Sequence, residues 1–135
     1  MSKKTFIVFG LLVVFLAVLI PWLAFRSDGD AARGAQEVPA DLESGQTLFQ
    51  INCGACHTLY AAGTDGNYGP DLDELLAASG PLEGPTIKQT EGRVLNAVEV
   101  GVDSTTTPGR MPGGILNEEQ AKEVAEFVAR TAGEG

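Results

Sequence analysis

From Phe6 to Phe25 the chain reads FIVFGLLVVFLAVLIPWLAF, a run without a single charge that follows directly on Lys3, Lys4 and Thr5. As a helix it would extend about 30 Å, the thickness of a bilayer hydrocarbon core. It is apolar on every face, and the domain left over from 135 residues is too small to surround such a helix. A cleaved signal peptide would carry a shorter apolar region, of about 7 to 15 residues. The run therefore predicts an uncleaved signal anchor over residues 1–25, one transmembrane helix. Lysines at its start are retained in the cytoplasm. The predicted location is the cell membrane, single-pass, with the bulk of the chain on the extracytoplasmic side, periplasmic or outer.

Residues 26–40, with SDGDAARGAQEVPA, lack apolar periodicity and are rich in Ala, Gly and charge, the composition of a flexible linker. Residues 41–135 form the one remaining domain. Few alternating β-branched runs occur there, so the fold class predicted is all-α, about four short helices. The first is expected from about Leu42 to Cys53, with Gly45, Leu48 and Phe49 on one stripe and Asp41 as N-cap. The second, DLDELLAAS, opens on Asp71 and Glu74 in capping-box spacing and stops at Gly80 and Pro81. A third is expected from about Glu91 to Val100 with Thr90 as cap, burying Val94 and Val98. The last starts at Asn117, has Gln120 at its third position, and turns Val124, Phe127 and Val128 inward as far as Thr131.

The first helix ends on CGACH, residues 53–57, which gathers both cysteines and the only histidine of the chain. A structural disulfide is one use for such a pair outside the cytoplasm, and a thioredoxin-like redox centre is another. The redox centre belongs in a βαβ setting that the surrounding sequence does not offer. A closed zinc site needs four ligands, and three are present. CxxCH as a covalent haem attachment site uses all three residues at the spacing observed: two thiols form thioethers with the haem vinyl groups, and the next residue offers its imidazole to the iron.

With one histidine in the chain, bis-histidine ligation within it is ruled out, and a thioether is the natural second ligand. Met1 starts the anchor, which leaves Met111 in TTTPGRMPGG, placed in a loop rather than on a helical stripe. The expected metal ligands are thus His57 and Met111, on one haem c per chain.

Together these residues resemble the class I mono-haem cytochromes c, here with an N-terminal membrane anchor. The resemblance spans residues 41–131 and rests on Gly45 and Phe49 leading into CGACH, on YGPDL at Tyr68 to Leu72, on the RMP segment and on Phe127. It implies that the first and last helices cross near Gly45 and Phe127, and that the haem lies in a cleft between His57 and the methionine loop. It also implies that the Pro70 carbonyl accepts the Nδ1 proton of His57, fixing ring orientation and tautomer. Candidates for haem-propionate partners are Lys88 and Arg93.

An iron held by both His and Met has no open position for substrate, which describes an electron-transfer protein rather than an enzyme in its own right. Beyond residue 40 the chain has Asp or Glu at 15 positions and Lys or Arg at five, a surface repelled by nucleic acid and attracted to basic docking patches. The expected role is a tethered carrier of single electrons between respiratory-chain complexes, with redox partners such as a quinol-oxidising complex and a terminal oxidase. The alternative is a fixed cytochrome subunit of one such complex. A third class, a haem-based gas sensor or peroxidase, requires that Met111 dissociate or never bind.

Overall fold

A computed structural model describes residues 3–26, 34–103 and 109–135. The chain divides into two compact units, Met1–Asp30 and Ala31–Gly135. The first holds helix α1 (Lys3–Arg26), in which the side chains described without a break run from Ile7 to Trp22 and are apolar and nearly all exposed. Among the described residues, no helix is long and apolar enough to cross a membrane.

The second unit is mostly helical, with α2 (Glu43–Asn52), α3 (Leu72–Ala77), α4 (Pro85–Val100) and α5 (Glu118–Thr131). Two residues of β1 (Thr58–Leu59) pair antiparallel with two of β2 (Thr64–Asp65) around a 3-10 turn at Tyr60–Ala62, extended structure that the all-α expectation did not include. Part of the expected linker, residues 27–33, lies outside the described residues. Further on, Gln36 is already held on the domain: its N–H donates to the Ala61 carbonyl at 3.1 Å, and its own carbonyl accepts from Gln46 Nε2 at 2.9 Å.

Helix α5 organises the core. Its N-terminus is closed by a reciprocal capping box between Asn117 and Gln120, and its inner face buries Ala121, Val124, Ala125, Phe127 and Val128. It packs against both α2 and α4. The crossing with α2 is close because Gly45 has no side chain: a Cβ there would come within 2.7 Å of Phe127 Cβ. The Phe49 and Phe127 rings then meet at 6.0 Å and 58°, a tilted pair of the kind aromatic quadrupoles favour.

Two helix starts differ from the sequence reading. Asp41 is not the cap of α2. Leu42 holds that position without a side-chain hydrogen bond, and the Asp41 carboxylate instead pairs with Arg130 of α5 at 2.6 Å. That guanidinium holds the Asp41 carboxyl below its usual range. Helix α4 begins at Pro85, well before the expected Glu91, and Thr90 lies inside it. The reason is the Gly84–Pro85 pair: proline at the first helical turn gives up only an N–H that would be unpaired anyway, and its fixed φ suits the helix.

Helix α3 is short but firmly tied. Asp71 caps it by accepting from the N–H groups of Asp73 and Glu74. Asp73 then links three segments, since its carboxylate accepts from Tyr60 N at 2.8 Å and from Gly133 N at 2.7 Å. These bonds fix the chain on either side of residues 66–70, the segment that faces the histidine.

Candidate functional site

The last turn of α2 runs into a tight turn at residues 53–57. Cys53 N and Gly54 N both donate to the Phe49 carbonyl, and Cys56 N and His57 N both donate to the Cys53 carbonyl, at 3.0 and 2.9 Å. One turn of backbone thus presents two thiols and an imidazole. Cys53 is buried and Cys56 exposed, and both are free. Burial pushes the Cys53 thiol up to about 11, with the neighbouring Cys56 adding to the shift. Among the described residues, no three His, Cys, Asp or Glu side chains gather as a metal cage would require.

His57 is buried, 9% exposed. Its Nδ1 lies 2.9 Å from the Pro70 carbonyl oxygen. Because the carbonyl can only accept, Nδ1 carries the proton, and in the neutral ring this tautomer leaves the lone pair on Nε2. Gly69 lies flat against the same ring: a Cβ there would fall 2.8 Å from Nδ1 and 3.0 Å from Nε2. Gly69 has no left-handed φ, so glycine is needed for closeness to the ring and not for backbone freedom. Its N–H donates to the Cys56 carbonyl at 2.7 Å, which ties the segment before Pro70 directly to the cysteine turn.

The hairpin between these segments fixes the geometry further. Thr64 Oγ1 donates to the His57 carbonyl at 2.9 Å and accepts from Leu59 N at 3.1 Å. Thr58 Oγ1 donates to the Gly66 carbonyl at 3.0 Å. Gly66 packs so tightly on the backbone of Ala55 and Cys56 that a Cβ would meet it at 2.7 and 2.6 Å. Sequence reasoning missed Gly66, Gly69, Thr58 and Thr64. The one local sign was glycine immediately before proline in YGPDL.

Met111 is half-buried in the loop after α4. Its N–H and carbonyl both pair with Val102, each at 3.0 Å. Downstream, Gly114 N donates to the Val98 carbonyl at 3.0 Å, and Gly113 presses on Gly101 at the helix end. Upstream, Arg110 pairs with Asp103 at 3.0 Å on the surface. Gly109 abuts the ring of Tyr68, so a side chain on Gly109 would collide with that ring. Lys88 and Arg93 sit at exposed positions of α4. The expected loop residues 104–108 lie outside the described ones.

These residues fit a covalently attached haem. Both thiols and the imidazole leave one turn, the thiols are unbridged, and the histidine keeps the nitrogen that an iron would need. The cytochrome c family model matches residues 42–132. Among solved structures, the c-type cytochrome SorU from Sinorhizobium meliloti is similar: 33% identical, covering 69% of this chain and 92% of that one, with a TM-score of 0.49. No curated protein sequence matches the chain. The chain belongs to the cytochrome c family and carries covalently bound haem c with its iron.

Proposed function

We propose that this c-type cytochrome is a membrane-anchored carrier of single electrons between respiratory-chain complexes, with its iron held by His57 and Met111. The observation that carries the reading is the hydrogen bond from His57 Nδ1 to the Pro70 carbonyl, which leaves Nε2 as the lone pair for a metal. Bound haem iron supplies reversible one-electron chemistry between its ferric and ferrous states. The chain's own contribution is to hold the ligands still. Gly69 and Pro70 fix the imidazole plane, and the Val102 pairing fixes the backbone of Met111. A thioether donor favours the ferrous state and would raise the potential relative to a second imidazole.

The acidic domain surface supports partners with basic docking patches, a quinol-oxidising complex on the donor side and a terminal oxidase on the acceptor side. The uncharged run from Phe6 to Phe25 supports anchoring, and Lys3 and Lys4 support an extracytoplasmic haem domain. The full chain is expected to sediment with membranes and to need detergent for release, whereas a chain in which a cleavable signal peptide replaces residues 1–25 stays in the supernatant with its haem. Sedimentation of both forms alike would remove the anchor from the account. Release of the full chain in fixed ratio with a larger complex would identify it as a subunit rather than a shuttle.

A further inference from the structure

Two halves of the site belong to distant parts of the sequence, His57 with its support at Gly69 and Pro70, and Met111 with its support at Val102. Among the described residues, the Tyr68 side chain joins them. Tyr68 immediately precedes Gly69, and its ring occupies the space that a side chain on Gly109, two residues before Met111, would fill. We propose that Tyr68 is a positioning residue: its ring clamps the upstream arm of the methionine loop to the backbone segment that orients His57. The inference rests on reading Met111 as the sulfur ligand.

Met111 itself is held by its backbone pairing with Val102, and the arm downstream of it by Gly114 N on the Val98 carbonyl and by Gly113 against Gly101. On the upstream arm, the other described tie is the Arg110–Asp103 ion pair, whose side chains are 72% and 78% exposed. Such a pair contributes little. Of these two ties among the described residues, the Tyr68 contact is the firmer. Tyr68 is itself 52% exposed, so its role is contact with the loop and not filling of the core. Gly109 has no left-handed φ, so alanine is allowed there by the backbone and forbidden only by the ring.

The clamp can be read through the competition between Met111 and added imidazole in the ferric, detergent-solubilised full chain. Imidazole takes the position only in molecules whose methionine has swung away, so its apparent affinity scales with that fraction. Tyr68→Ala is expected to raise imidazole affinity about tenfold, while Tyr68→Phe, which keeps the ring, stays within about twofold of the native protein. Gly109→Ala should also raise it, by displacing the ring. Once Tyr68→Ala has removed the ring, adding Gly109→Ala should have no further effect, the non-additivity expected of groups in contact.

If the native protein shows its ferric sulfur-to-iron absorption band and Tyr68→Ala binds imidazole as the native protein does, the clamp is wrong while the ligand reading stands. Strictly additive effects of Tyr68→Ala and Gly109→Ala would overturn it in the same way. Absence of that band from the native protein would refute the Met111 reading and the clamp with it.

Discussion

Replacing Cys53 and Cys56 together with alanine is expected to leave a chain from which acid-acetone extracts all of the haem, while the native protein retains all of it. The expectation follows from the turn at residues 53–57. Both thiols leave one loop of backbone closed by hydrogen bonds to the Cys53 carbonyl, so each can add its sulfur and proton across one vinyl double bond of the same haem. His57 would still be presented by that turn in the double variant, and bound haem would then be held by coordination alone. Each single variant keeps one thioether and should retain its haem through extraction. Quantifying haem in the protein pellet and in the organic phase measures all four chains. Complete extraction from the native protein would remove the covalent assignment.

Met111→His should lower the reduction potential by more than about 0.1 V, out of the roughly 0.8 V over which axial ligands set haem potentials. Imidazole is a stronger donor to ferric iron than a thioether is, so the substitution stabilises the oxidised form. The backbone at this position is paired with Val102 on both its N–H and its carbonyl, which favours a local change of ligand over a collapse of the loop. Spectroelectrochemical titration of the two proteins gives the shift. An unchanged potential, with an unchanged ferric sulfur-to-iron band, would show that Met111 is not a ligand.

What could be read from sequence was what is local. CGACH is a five-residue statement, complete without any knowledge of the fold. The capping box of α5 is similar, since Asn117 and Gln120 bond to each other's backbone within one turn. Non-local competition defeated the same logic at Asp41. It has the residue type of a cap, but Arg130, far along the chain, takes its carboxylate. The start of α4 was missed for another reason. Periodicity of apolar residues marks the buried part of a helix, and the first turns of α4 are largely exposed, so only the Gly84–Pro85 pair announced them.

The support of the site was the least legible part. Pro70 entered through a family resemblance, because nothing in spacing says which carbonyl a histidine will find. Thr58 and Thr64 hold the hairpin through side-chain bonds to backbone groups, and such bonds leave no periodic trace. The contact of Tyr68 with Gly109 joins two loops, where neither helical nor strand spacing applies.

The central claim is that His57 and Met111 would both hold the iron of the bound haem, and the ε-methyl group of Met111 tests it most directly. Only two methionines occur in the chain, so selective isotopic labelling of methionine methyls leaves two signals to assign. In the reduced holoprotein, the Met111 methyl should sit over the haem ring and be shifted upfield, far outside the ordinary range of methyl protons. That signal should vanish in Met111→His while the Met1 signal stays. A Met111 methyl at an ordinary position in the native reduced protein would contradict the ligation.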